Sequence, residues 1–209
     1  MLVPELTVAD TTRAANVLAD FGFVQDGGLW HLRSQALRLV EGRATGHGRI
    51  DHVALTVPDM DATLSRLTGR GIALADVTPN GPEMIAEFWE AGLRFVYLSG
   101  PEGARIELCQ RLAGAPAETG QDHVGIPCAD LAAMQEFLEG HGARLIAAVD
   151  LSRPEGTIPV RFLAFHGGVM ELFQPPLADR VREGHWSRLL VRGLPGPIHG
   201  PEGLTLAPL

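Results

Sequence analysis

Two histidines and two glutamates recur in this chain at matching places, and these are the residue types from which a divalent-metal site with open positions is built. One stretch opens Asp51-His52-Val53-Ala54-Leu55-Thr56-Val57 and closes Ala104-Arg105-Ile106-Glu107-Leu108-Cys109. A second opens Asp122-His123-Val124-Gly125-Ile126 and closes Gly168-Val169-Met170-Glu171-Leu172-Phe173. Any one of these residues, taken singly, reads as an ordinary polar group on a solvated sheet face. Joint recurrence reverses that balance, because the same two types return at the same ends of both stretches while the sequence between them has diverged. Glu107 stands 55 residues after His52, and Glu171 stands 48 after His123.

Strand alternation explains why the repeat matters. In the opening strand Val53, Leu55 and Val57 share one face, and His52, Ala54 and Thr56 share the other. In the closing strands Ile106 with Leu108, and Met170 with Leu172, leave Glu107 and Glu171 opposite. All four polar groups then project from the face away from the helices. If that face curves into a cleft, a buried carboxylate costs several kcal/mol, roughly, unless it is paired, hydrogen-bonded or bound to a metal.

The elements that position these residues are legible as a repeat of strand, helix and further strands. Asp10, Asp59 and Asp130 each follow a β-like run at a helix N-cap position. Apolar residues at helical spacing come after each: Ala14, Val17, Leu18 and Phe21; Met60, Leu64 and Leu67; Leu131, Met134, Phe137 and Leu138. The helices stop at Gly22, at Gly69 with Gly71, and at Gly140 with Gly142. His52 and His123 both precede their capping aspartate by seven residues, and the same offset from Asp10 lands on Val3. The N-terminal copy has therefore lost the histidine.

The expected organisation is a degenerate partial βαββ module at 1–45, complete βαβββ modules at 50–112 and 121–175, and a C-terminal tail at 176–209. Linkers run from Gly42 to Gly48 and from Ala113 to Gly120. The tail is rich in Pro and Gly, with one helix expected around Leu177 to Glu183. The apolar stripe of the first helix needs a partner surface, so residues 1–45 are expected to cover a sheet edge or a subunit interface. With 209 residues, 45% of them hydrophobic, the chain can bury a sizeable core. A formal charge of −8 and a pI near 5.4 argue against a nucleic-acid surface. No apolar run approaches a membrane span, no secretory leader is recognisable, and Cys109 and Cys128 read as small buried hydrophobes. A cytoplasmic protein is expected.

The segments Asp51–Val57 and Gly100–Leu108 resemble the two ends of a βαβββ module of the vicinal oxygen chelate superfamily. That superfamily includes glyoxalase I, methylmalonyl-CoA epimerase, extradiol dioxygenases and the fosfomycin- and bleomycin-resistance proteins. The resemblance covers residues 50–175. It implies an α+β fold, with tandem βαβββ modules forming curved mixed sheets around a metal cleft; the extra degenerate N-terminal module is a departure from that pattern. His52 and His123 match the first-strand ligand position, Glu107 and Glu171 the fourth-strand position, and the order His, Glu, His, Glu is closest to glyoxalase I. The implied cofactor is a divalent metal: Zn, Ni, Co, Mn or Fe. The extra module leaves two pairings open, 50–112 with 121–175, or 1–45 with 50–112 while 121–175 pairs elsewhere or across a homodimer.

The function implied is that of an isomerase or lyase acting on a small molecule, moving a proton beside a substrate oxygen that the metal holds. Glu171 is expected as the base and Glu107 as its counterpart. A dioxygenase would use His52, His123 and Glu171, but that family carries a tyrosine in its second module, whereas the one tyrosine here, Tyr97, is in the first. A non-catalytic binder of the bleomycin-resistance type is the third reading. Structural or surface roles are expected for His31, His141 and His166; His47, His185 and His199 lie in linker or tail. Met84, Phe88 and Trp89 are expected in core packing rather than at a pocket mouth, and Arg153 and Arg161 as solvated cations rather than anchors for an anionic substrate.

Overall fold

Strands β1 (Leu2–Val8), β2 (Val24–Asp26), β3 (Leu29–Leu32) and β4 (Gln35–Glu41) surround helix α1 (Thr11–Phe21) in the first segment. The second holds β5 (His52–Thr56), α2 (Met60–Thr68), β6 (Glu83–Ile85), β7 (Leu93–Ser99) and β8 (Arg105–Arg111). The third holds β9 (Gly120–Pro127), α3 (Leu131–Gly140), β10 (Arg144–Arg153), β11 (Gly156–Phe165) and β12 (Gly168–Phe173). Three short strands, β13 (Trp186–Val191), β14 (Ile198–His199) and β15 (Thr205–Pro208), follow. The structure is a computed structural model describing residues 1–44, 46, 48–154, 156–175 and 184–209. The helix expected at Leu177 to Glu183 lies outside the described residues, as does His47.

The helices start where the aspartates place them. Asp10 accepts from the Arg13 N–H, Asp59 from that of Ala62 and Asp130 from that of Ala133, at 2.9, 2.9 and 3.0 Å. Gly22 closes α1 in the left-handed conformation, at φ 102°. Three strands rather than two follow α1, because Gly27 and Gly28, at φ 56° and 80°, turn the chain between Asp26 and Leu29.

Two curved mixed sheets result, ordered β14-β15-β13-β1-β4-β3-β2 and β10-β11-β12-β9-β5-β8-β7-β6. Each is built around one antiparallel pair of opening strands, β1 with β13 and β5 with β9. A closing strand lies parallel to each opener: β4 on β1, β15 on β13, β8 on β5 and β12 on β9. The pairing left open by the sequence is thereby decided. Residues 50–112 and 121–175 share a sheet within one chain, and the alternative in which 1–45 joins 50–112 does not occur. The N-terminal segment pairs instead with the tail, which behaves as a shortened module in which only Arg192 to Pro197 separate β13 from β14, with no helix between.

The apolar stripe of α1, expected to need a partner surface, finds one within its own chain. Strand β1 is interior, flanked on both sides, and Ala14, Leu18 and Phe21 of α1 enter the main core of their own chain. That core also takes Val53, Leu55 and Val57, the face of β5 assigned to the helices by alternation. On the opposite face Ala54, Cys109, Phe88 and Phe162 belong to a separate apolar cluster. No helix among the described residues is long and apolar enough to cross a membrane.

Candidate metal centre

Registry across the central strands brings the four repeated residues together. His52 lies opposite Gly125 on β9, and Ala54 opposite Glu107 on β8. On the other half, Glu171 of β12 lies opposite Gly125 of β9. His52 Nε2 is 3.1 Å from His123 Nε2 and 3.2 Å from Glu107 Oε2, and His123 Nε2 is 3.1 Å from the same oxygen. Glu171 Oε2 approaches His52 at 3.7 Å and His123 at 3.3 Å. All four side chains are buried.

These spacings fit a metal ion. Donors held 2.0–2.1 Å from a common centre stand about 3.0 Å apart in octahedral and 3.4 Å apart in tetrahedral geometry. Glu107 Oε2 is buried against the two imidazole Nε2 atoms, and while each ring keeps its hydrogen on Nδ1 it meets no donor among the described residues, which is costly for a carboxylate unless a cation satisfies it. His52, Glu107 and His123 together form a cluster that can hold a divalent ion.

Each histidine is backed by the aspartate preceding it. His52 Nδ1 is 3.0 Å from Asp51 Oδ2 and His123 Nδ1 is 2.9 Å from Asp122 Oδ1. A carboxylate only accepts, so each Nδ1 carries the hydrogen and each Nε2 faces its partners. This carboxylate–imidazole arrangement fixes the ring and strengthens it as a ligand. Burial alone would lower the His52 imidazole, but Asp51 and Glu107 carry it up to about 9. Burial also opposes charge on His123, yet Glu171 and Asp122 hold it well above its ordinary value. Burial would raise Glu107, which the two histidines instead hold at about 2.

A cavity of about 140 Å³ opens onto Glu107, His123 and Glu171, with Phe88, Phe95, Val160 and Phe173 among its apolar walls. Phe88, expected only in packing, lines it. Trp89 packs on Phe162, and Met84 is exposed. Tyr97 enters the lining from β7, opposite Glu107, its hydroxyl 3.4 Å from His52 Nδ1. The matching place opposite Glu171 is Phe162. Sequence reasoning gave Asp51, Asp122, Gly125 and Tyr97 no role here. The repeated Asp-His dipeptide was a usable signal for the first two. Cys109 is buried beside Asp122 and His123, and burial with the nearby charge of Glu107 pushes its thiol well up, so it packs as an uncharged group.

The other candidates stand apart. His141 donates from Nδ1 to the Phe137 carbonyl at 2.7 Å, His166 is exposed in the turn between β11 and β12, and His31 pairs across β2 and β3. Among the described residues the second sheet carries no equivalent donor set. Leu190 pairs with Ala207 as Ala54 pairs with Glu107, which puts Arg188 at the histidine position and Ala207 at the glutamate position. In the N-terminal segment Val3 stands at the histidine position, and Val3, Ala36, Leu190 and Ala207 form an apolar cluster.

Neither a protein-family model nor a curated protein sequence matches this chain. Solved structures do. Glyoxalase I from Zea mays superposes with a TM-score of 0.73 at 15% identity, over 99% of this chain and 90% of that one. A variant of the same maize protein gives 0.74 at 16% identity, over 99% and 91%. The chain has a glyoxalase-like fold. A protein from Bacillus subtilis described as a putative dioxygenase matches at a TM-score of 0.55 and 15% identity, over 85% of this chain and 64% of that one.

Proposed function

We propose that this protein is a metal-dependent isomerase or lyase of the glyoxalase type, acting on a small molecule in the cytoplasm, with His52, Glu107, His123 and Glu171 as ligands. The observation that carries the reading is the convergence of two aspartate-backed imidazoles and two buried carboxylates at 3.1–3.7 Å beside an apolar cavity. All four donors come from one chain, so the site needs no second copy to be complete.

The ion, one of Zn, Ni, Co, Mn or Fe, would supply a Lewis acid that offsets negative charge building on a substrate oxygen. Glu107, pinned between both imidazoles, is suited to remain a fixed ligand. Glu171 stands farther from His52, is less deeply buried than Glu107 and is the carboxylate with room to move. It takes the proton from the carbon beside the oxygen and returns it to the neighbouring position. The apolar walls exclude water that would otherwise compete for that proton.

Extradiol ring cleavage is the second reading: Tyr97 lines the cavity with its hydroxyl 3.4 Å from His52 Nδ1, although it stands opposite Glu107 in the first module and Phe162 holds the place opposite Glu171. A third, metal-free sequestration, has no use for four converging donors. Metal analysis of protein purified without chelator is the first test: His52→Ala and Glu171→Ala should lose most of the metal, whereas His141→Ala should keep it. Equal metal content in all three would overturn the site. A proton-transfer enzyme should also work anaerobically with Zn, and strict dependence on Fe(II) and O₂ would establish the dioxygenase instead.

A further inference from the structure

Two arginines of one strand stand behind the two histidines, and they are not placed alike. β8 carries Arg105, Glu107 and Arg111 on the same face by strand alternation, so the strand that supplies one carboxylate also approaches the aspartate behind each imidazole. Arg105 Nη1 donates to Asp51 Oδ1 at 2.7 Å, and its Nη2 to Asp76 Oδ1 at 3.2 Å. The other Asp51 oxygen, Oδ2, takes the His52 Nδ1 hydrogen at 3.0 Å. The Arg105 backbone is held as well: it lies opposite His52 in the sheet, and its carbonyl accepts from Trp186 Nε1 at 3.1 Å.

Arg111 differs on each count. Its Nη2 is 3.6 Å from Asp122 Oδ2, too far for a hydrogen bond, and its guanidinium lies 4.1 Å over the Trp89 ring. Its side chain is 34% exposed, against 16% for Arg105, so water competes more for any bond it makes. Asp122 Oδ2 is buried with no hydrogen-bond partner among the described residues.

The difference has a mechanical consequence. A carboxylate bound at one oxygen turns easily about its Cβ–Cγ bond and takes the imidazole hydrogen bond with it. One held at both oxygens does not, and the charge-assisted bond from a guanidinium is about twice as strong as a neutral one. Asp51 is held at both oxygens.

Resting on the metal-centre reading, we propose that Arg105 is a positioning residue of the centre: it fixes the plane of Asp51 and through Asp51 aims His52 Nε2 at the ion. Arg111 has no such part, and the His123 ring is aimed by Asp122. The competing account makes Arg105 an anchor for the segment before β6, through Asp76, with its bond to Asp51 incidental.

Arg105→Ala, Asp76→Ala and Arg111→Ala in the full chain separate the two, with folding checked by thermal melting. Zinc affinity is measured by competition with a chromophoric chelator. The histidine Nδ1–H resonances are followed by NMR of nitrogen-15-labelled protein, with and without zinc. Arg105→Ala should bind zinc about tenfold or more weakly and should shift or broaden the His52 resonance while that of His123 stays. Asp76→Ala and Arg111→Ala should change affinity less than about fivefold and leave the His52 resonance in place. Arg105→Gln, which keeps an N–H donor but loses the charge and the fork, should show the same two changes as Arg105→Ala and replaces it if the alanine variant does not fold. Unchanged affinity or an unchanged His52 resonance on losing the arginine would overturn the proposal, as would an equal loss in Asp76→Ala. A wild-type chain that takes up no zinc would refute the metal-centre reading instead, and the His52 resonance of the metal-free protein then decides by itself whether Arg105 holds the ring.

Discussion

At the scale of single residues, the site depends on a side chain that is missing. A Cβ at Gly125 would overlap the His52 ring, so the imidazole reaches His123 only because glycine stands opposite it. The residue matching Gly125 in the other half is Ala54, which shows that the two halves are not interchangeable and that His52 is the tighter fit. Gly125→Ala should therefore expel the His52 ring and remove most bound metal. Metal content beside the far-ultraviolet spectrum checks this, and full metal occupancy in a folded variant would contradict it. The raised imidazoles lead to a second expectation. With no metal bound, His52, at about 9, and His123, well above its ordinary value, favour protonation, and the 3.1 Å between their Nε2 atoms places one hydrogen between the two rings. Metal binding must displace that proton, so affinity should rise with pH up to about 9, and uptake near pH 7 should release about one proton per ion. Calorimetry in buffers of different ionisation enthalpy reads that number, and pH-independent binding would count against these two ligands.

At the scale of elements, two three-residue turns lock one sheet to the other. Pro101-Glu102-Gly103 and Pro201-Glu202-Gly203 adopt the same conformation, with Glu102 and Glu202 at φ 53° and 54°. Glu102 accepts from the Ala9 and Asp10 N–H groups ahead of α1, and Glu202 from those of Ala129 and Asp130 ahead of α3. Each turn reaches from one sheet to a helix start of the other. The two are not equivalent in energy, because Glu202 also holds Arg49, which is 2% exposed, at 3.0 Å. Glu102→Ala should cost about 1 kcal/mol, as for a lost cap. Glu202→Ala should cost about 3 kcal/mol or more, by leaving a buried charge unpaired. Denaturant midpoints of the two variants check the order. The same turns explain what was and was not legible in the sequence. Strand alternation is local, so the faces of His52, Glu107, His123 and Glu171 could be read directly, and each Asp cap marked its helix start. Gly125 and Tyr97 act through cross-strand registry, which no local pattern reports. The tail had lost the helix and the ligand types by which its module could be recognised, and only the second Pro-Glu-Gly survived as a signal.

At the scale of the whole molecule, the four candidate donors all stand in one sheet, and the other serves as its counterpart in the core. Trp186 shows how closely the halves are joined: it begins β13 in the second sheet, is fully buried, and donates from Nε1 to the Arg105 carbonyl of the first at 3.1 Å. Removing β13 to β15 would strip β1 of one neighbour along Leu2 to Leu6, a run whose Leu2, Val3 and Leu6 are buried. An edge strand of that composition offers unpaired backbone and apolar side chains to other chains. A chain ending at Gly184 keeps all four donors and the whole first sheet, so a purely local view of the site predicts an unchanged monomer. The architecture predicts otherwise: light scattering should show association or aggregation, with a lowered melting temperature and reduced metal content in the soluble fraction. A truncated chain of unchanged mass, stability and metal content would show that the donor-bearing sheet stands alone and that the second sheet contributes nothing to holding the site.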